Sequence, residues 1–447
     1  MEIQIKESTT VRPAEETPKH CLRLTNLDLF LGTSHVPTVY VYRRPNDCTN
    51  FFDAGALKEA LSHVLVPFYP VAGRFGKDEN GRMEVKCNAE GVLFVVAEAS
   101  CVIDDLGDSF TPSFKLQQLV PRVDTKDISS YPLLLLQVTH FKCGGVTLGV
   151  GFHHNLADGM SALHFINSWA DVTRGIPIKN LPFIDRTVLG ARVKKGDSPT
   201  FNHIEYGPPL SLRNDGAQLA HRPSNGSASS AASVATLKLS LDQINTLKAK
   251  VRKDQDQDEC KSNIRYSTYE ILAAHVWRCT SKARGLSDGQ ECKLYINVDG
   301  RSRLNPPLPS GYFGNVLFFN TPVALSGDIV SKPLIFTVKK IHEAIKQMDD
   351  KYLRSALAYL EHNDPTTIKH GAQAYASPGF KLNSWMRLPI YDADFGWGRP
   401  ISMTRTKINY EGKAYFVPSP TNDGSASLVI SLEPHQMEFF KDCFYDF

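Results

Sequence analysis

Two apolar runs, Leu133 to Phe141 and Val146 to Phe152, are separated only by a short turn containing Cys143-Gly144-Gly145. Glycine lets the chain reverse there, so the pair predicts an antiparallel hairpin. The second run ends on His153-His154. Four residues after His154, Asp158-Gly159 opens an apolar pattern of helical period that reaches Val172, with Leu163, Ile166, Trp169 and Ala170 on one face. A buried strand, a short bend and an anchored helix therefore follow one another. An imidazole in that bend keeps its geometry.

The rest of the chain reads in outline. Met1 to Lys6 alternates as a strand does; Leu57 to Leu65 has helical spacing, with Pro67 and Pro70 behind it; Gly91 to Val96 reads as a buried strand. Asn214 to Ser233 is rich in Ser, Ala, Gly and Asn and has no period, as a mobile linker would. Helical patterns resume at Leu239 to Ile244 and at Tyr266 to Arg278, and no solenoid or propeller period is present. At 447 residues the chain exceeds what one core usually supports. The expectation is a mixed α/β (α+β) protein in two domains, 1–190 and 235–447, joined by a crossover or linker at 191–234.

Composition removes several function classes. With 42% hydrophobic and 22% charged residues the chain is ordinary globular protein, and a net charge of +3 gives no extended basic field for nucleic acid. The nine cysteines are scattered without a C-x-x-C pair, as free thiols in a reducing compartment are. No secretory signal opens the chain, and the apolar run around Leu133 to Leu136 is too short to span a bilayer. A cytoplasmic monomer without nucleic-acid or membrane partners is expected, acting on small molecules.

Histidine is the side chain best poised for proton transfer near neutral pH, which makes His154 the candidate base. Asp158 either orients it, as in a hydrolase triad, or serves the fold; spacing alone does not decide. His153, His154 and Asp158 have neither an H-E-x-x-H helix nor a thiolate pair nearby, so no metal is expected.

His154-Asn155-Leu156-Ala157-Asp158-Gly159 and Asp394-Phe395-Gly396-Trp397-Gly398 resemble the H-x-x-x-D-G and D-F-G-W-G motifs of the plant BAHD acyl-CoA-dependent acyltransferases. Further stretches, among them Val66 to Pro70, Leu163 to Trp169, Pro182 to Thr187, Tyr352 to Leu357 and Ser384 to Pro389, resemble the shikimate/quinate hydroxycinnamoyltransferase group along nearly the whole chain. The resemblance implies two chloramphenicol-acetyltransferase-like domains with the active site in a channel between them. It also implies transfer of p-coumaroyl or caffeoyl from CoA to a hydroxyl of shikimate or quinate. Acyl-CoA is then a co-substrate, and no cofactor is needed.

The same resemblance assigns residues. His154 becomes the base that takes the acceptor proton, Asp158 the partner of Arg301, and Asp394 a fold residue. Trp397 either donates its indole N–H to the developing oxyanion or packs its loop. Ser267, Thr268 and Tyr269, with Asp299, Gly300, Arg301, Ser302 and Arg303, match segments lining the CoA mouth; Thr38, Tyr40 and Arg387 match the acceptor pocket, Arg387 as the carboxylate clamp. Two departures bear on the acceptor. Val36 replaces a residue often polar, and Met403-Thr404-Arg405-Thr406-Lys407 replaces a glycine-rich stretch, so its cations either serve another acid, such as malate or a hydroxyphenyllactate, or face solvent. Competing readings are the same chemistry on an amine, a peptide-synthetase condensation domain, which shares His-His-x-x-x-Asp-Gly, and a non-catalytic acyl-CoA-binding protein.

Overall fold

The hairpin forms the middle of a six-stranded sheet. In a computed structural model that describes the chain apart from residues 33, 47, 124–126, 194–195, 209–231, 258–263 and 369–370, its strands lie in the spatial order Ile3–Val11, Val92–Ala99, Leu134–Phe141, Val146–His153, His35–Tyr42 and Ser402–Arg405. Five come from the first third of the chain and the sixth from near its end. Val146, Leu148, Val150 and Phe152 alternate toward one face, where the helices Ala54–Val64 and Gly159–Thr173 cover them. The predicted helix face is the buried one: Leu163, Ile166, Trp169 and Ala170 are at most 5% exposed. Trp169 also donates its indole N–H to the Leu57 carbonyl at 2.9 Å, which ties the two helices together. Val39 and Val41 face the opposite side against Ile103, Leu116 and Leu119, so the sheet is buried on both faces.

The second sheet is drawn from the later part of the chain, in the order Leu317–Asn320, Glu291–Asp299, Gly379–Ser384, Lys413–Pro418, Ala426–Leu432 and Ser233–Leu239, with Val323–Leu325 also pairing Glu291–Asp299. Helices Leu241–Asp256, Thr268–Ala283, Leu334–Gln347 and Pro434–Phe444 pack around it. Ser240 and Ser267 begin two of these helices by accepting main-chain N–H groups through their hydroxyls. Of the linker expected at Asn214 to Ser233, residues 214–231 lie outside the described residues, and Ser233 already starts a strand.

Two features join the halves. A third core places Leu27, Phe30 and Leu31 against Val316, Phe318, Leu353 and Leu357. Beside it, Asp158 caps the Gly159–Thr173 helix through Ser161 N–H (3.0 Å) and reaches across to Val316 N–H (3.0 Å) and to both terminal nitrogens of Arg301 (2.8 and 2.9 Å). Arg301 further donates to Ser161 Oγ (2.9 Å), Gly314 O (3.0 Å) and Asp299 (3.1 Å). Burial alone pushes the Asp158 carboxyl up, but the Arg301 charge and these donors outweigh it and hold the group below the ordinary carboxylate range.

A buried ion pair is most costly to break from one side. Arg301→Met leaves Asp158 buried without its cation and should lower unfolding free energy by about 3–5 kcal/mol, read as a lower urea midpoint. A loss below about 1 kcal/mol, the scale of an exposed pair, would show that the brace contributes little.

Candidate active site

His154 sits one residue past the strand Val146–His153, and its main chain is held on both sides. Its N–H donates to Ser34 O at 3.1 Å, and its carbonyl accepts from Asn315 Nδ2 at 2.8 Å. Asn315 is itself fixed, since its N–H and Nδ2 both donate to Asp28 Oδ1 (3.0 and 2.8 Å). Asp28 pairs with buried Arg186 at 2.9 Å, and Arg186 donates to Leu156 O at 2.6 Å. The bend between strand and helix is thus clamped by residues from three distant parts of the sequence.

The imidazole is half-buried, with Nδ1 sealed from water and Nε2 open to it. Burial pushes its pKa down to about 4; its own carbonyl and Asp158 work against that, while Arg405 and Lys413 add to it. His154 is therefore neutral near pH 7. With Nδ1 sealed, the ring nitrogen that can meet a substrate is Nε2. Asp158 spends both oxygens on Ser161, Val316 and Arg301, so it does not orient the ring. His153 is buried among Phe75, His35 and Tyr131, with ring centroids 4.6, 5.0 and 6.0 Å away.

The D-F-G-W-G loop lies elsewhere. Phe395 stacks edge-on against Trp169 at 4.8 Å, and Gly396 packs on Arg174, the residue that ends the helix Gly159–Thr173. That helix has 15 residues, so its far end is about 22 Å from the His154 end. Trp397 packs on Phe52 and Phe51 at 5.1 and 6.3 Å. The indole thus packs its loop, at the opposite end of that helix from His154. Asp394 Oδ1 accepts from Gly396 N–H (2.9 Å) and Gly398 N–H (3.0 Å), and both glycines have φ near +100°, a region closed to most side chains. The loop turns the chain into the strand Ser402–Arg405 that completes the first sheet.

Much of the segment expected at the CoA mouth is already engaged. Arg301 belongs to the brace, and Arg303 Nη1 donates to Ile345 O and Met348 O (3.1 and 2.9 Å) near the end of the helix Leu334–Gln347, so both guanidinium groups serve the fold. Asp299 accepts from Arg301, and a Cβ on Gly300 would come within 2.5 Å of Phe318. The Ser267 hydroxyl caps its helix, and Tyr269 donates to Leu382 O at 2.9 Å. Ser302 is exposed and Thr268 half-buried at the helix start.

On the acceptor side, Thr38 and Tyr40 lie on the strand beside His154 and are 8% and 1% exposed. Thr38 pairs in register with Val150 on one side and Arg405 on the other, so the three side chains share a face. Arg387 is exposed, on a loop whose Leu388 approaches Gly159, and makes no hydrogen bond or ion pair among the described residues. The guanidinium enclosed near His154 is that of Arg405, not Arg387. Sequence reasoning did not single out Asn315, which holds the His154 carbonyl, or Lys381 and Lys413, register partners on the second sheet. A lysine inside a strand carries no pattern that distinguishes it from a surface residue.

Trp397→Phe keeps the ring packing and should leave turnover unchanged, while Trp397→Ala should lower the melting temperature; a large kcat loss in the Phe variant, with an unchanged melting temperature, would return the indole to the chemistry.

A family model described as the Transferase family matches residues 1–447. The chain is 53% identical over its whole length to shikimate O-hydroxycinnamoyltransferase of Nicotiana tabacum, with all of both chains covered. Its fold superposes on vinorine synthase with a TM-score of 0.75 at 22% identity, covering 98% and 96% of the two chains. It also superposes on F. graminearum TRI101 complexed with coenzyme A and T-2 mycotoxin, with a TM-score of 0.79 at 18% identity, covering 95% and 97%. No described helix is long and apolar enough to cross a membrane. With its histidine bend, its arginine brace and its crossed-over strand, the chain belongs to this Transferase family, the BAHD acyltransferases.

Proposed function

We propose that this transferase moves a hydroxycinnamoyl group, p-coumaroyl or caffeoyl, from its CoA thioester to a hydroxyl of a carboxylated acceptor of the shikimate and quinate kind, with His154 as general base. The observation that carries the reading is the state of His154: neutral, with Nε2 open and the ring's main chain clamped on both sides. The full-length identity to the tobacco shikimate enzyme supports the acyl donor and the acceptor class.

In this mechanism the acceptor hydroxyl gives its proton to Nε2 as its oxygen bonds to the thioester carbonyl carbon. The tetrahedral intermediate collapses with cleavage of the C–S bond, and the departing CoA thiolate recovers the proton from the imidazolium. Ester and free CoA leave, and no acyl-enzyme forms. Arg405 and Lys413 disfavour the imidazolium, which hastens return of the proton.

His154→Ala should lower kcat by about two to four orders of magnitude, measured by ester formation from p-coumaroyl-CoA. Near-wild-type turnover would sink the mechanism. Because burial holds the His154 pKa near 4, the base form is complete above that pH. The acid limb of the kcat/KM profile should therefore appear only as pH falls through about 4. An acid limb at the pH of a free imidazole would show a solvated ring instead.

A further inference from the structure

The strand Ser402–Arg405 brings a cation into the interior that no described residue neutralises. Arg405 stands beside Thr38 on the first sheet, and its guanidinium makes no hydrogen bond or ion pair among the described residues. Nε is sealed from water without a partner. The main chain here bridges to the second sheet: Arg405 N–H lies 3.4 Å from the Tyr415 hydroxyl, and Thr404 Oγ1 lies 3.3 Å from it.

Two lysines converge on the same place. Lys413 and Lys381 are register partners on adjacent strands of the second sheet. The Lys413 ammonium lies 5.7 Å from the Tyr410 ring, and Lys381 hydrogen-bonds the Tyr375 hydroxyl at 3.0 Å while sitting over Phe319 at 3.7 Å. Burial lowers the pKa of all three cations, Lys381 to about 7, and the field of Arg405 lowers both lysines further. Among the described residues, no carboxylate pairs with any of them. Glu411, two residues from Lys413, is held by Arg284 at 2.8 Å and by Ser377 N–H at 3.0 Å.

Three like charges enclosed together, without a counterion, are unfavourable unless something else supplies the negative charge. Proton loss from the lysines relieves part of that cost, as their lowered pKa shows, and an incoming anion relieves the rest. Arg405 stands beside Thr38 on the strand paired with the one that ends at His153, so the cations lie at the His154 end, whereas the phosphates of CoA lie a full pantetheine arm from the thioester. The anion therefore belongs to the acceptor. Arg405 offers a planar fork to one carboxylate and Lys413 a point charge to a second, with Lys381 behind them.

We propose that Arg405 and Lys413, backed by Lys381, form the acceptor's acid-binding site, and that the preferred acceptor is a hydroxy acid with at least two carboxylates. This rests on the acyl-transfer reading above and changes its acceptor, since shikimate and quinate carry one carboxylate each. A bound dianion also offsets the two cations that depress His154, so it makes the base stronger as it docks.

The test has two arms. With p-coumaroyl-CoA as donor, malate and tartrate are compared with shikimate, quinate, a neutral alcohol and an aromatic amine. Dicarboxylates should give the highest kcat/KM. Arg405→Met and Lys413→Met should each raise the dicarboxylate KM by about 10- to 100-fold, the worth of one charge-assisted bond, with the KM for p-coumaroyl-CoA unchanged. In the second arm, calorimetry on His154→Ala protein measures malate binding without turnover, and thermal unfolding follows the unliganded variants. Removing an unneutralised buried charge should raise the melting temperature of Arg405→Met, which separates a lost site from a lost fold.

Malate bound by His154→Ala and lost with Arg405→Met supports the site even if no ester forms, in which case the acyl-transfer reading alone has failed. Monocarboxylates used as well as dicarboxylates, equal losses for the neutral alcohol, or a rise confined to the KM for p-coumaroyl-CoA would each overturn the proposal. The last would assign the cations to the phosphates of CoA.

Discussion

The Asp158 carboxylate is the constraint on which the arrangement depends. It is wholly buried, yet every one of its interactions is with a donor: Ser161 N–H at the start of its own helix, Val316 N–H across the molecule, and the fork of Arg301. One group thus fixes where the helix after His154 begins and how the second half of the chain sits against it. Asn315 lies next to Val316 and holds the His154 carbonyl, so the brace and the base share a support. A displacement of either half would reach the imidazole through these bonds rather than being absorbed by solvent.

The second organising fact is electrostatic. Burial and two cations from the later part of the chain keep His154 neutral, and those cations are not neutralised by any carboxylate among the described residues. By contrast, the acidic groups Asp28, Asp158 and Glu411 are each paired with an arginine. Charges that serve the fold are closed in pairs, and charges beside His154 are left open. The strand Ser402–Arg405 crosses from one half to the other, so it places Arg405 and Thr38 side by side.

Local pattern made the central hairpin, the Gly159–Thr173 helix and its buried face legible before any contact was known, because side-chain period follows backbone geometry. Roles were less legible. Trp397 reads equally well as a donor or as packing, and only the helix between it and His154 decides for packing. Arg301 and Arg303 look like phosphate ligands in a segment near a turn, but one is closed on Asp158 and the other on two carbonyls near a helix end. Arg387 was the expected clamp for a carboxylate and is exposed; Arg405, which the sequence left open between an acid ligand and solvent, is enclosed.

What the amino-acid sequence determined by itself is the set of local elements and the candidate for the base, since strand, bend and helix around His154 are written in contiguous residues. Tertiary structure alone decided which charges are satisfied. Asp158 and Arg301 are 143 positions apart, and Thr38 meets Arg405 only because a late strand joins an early sheet. Whether a cation is a brace, a cap or an open binding group depends on what lies within a few ångströms of it, and for these residues those neighbours come from the other end of the chain.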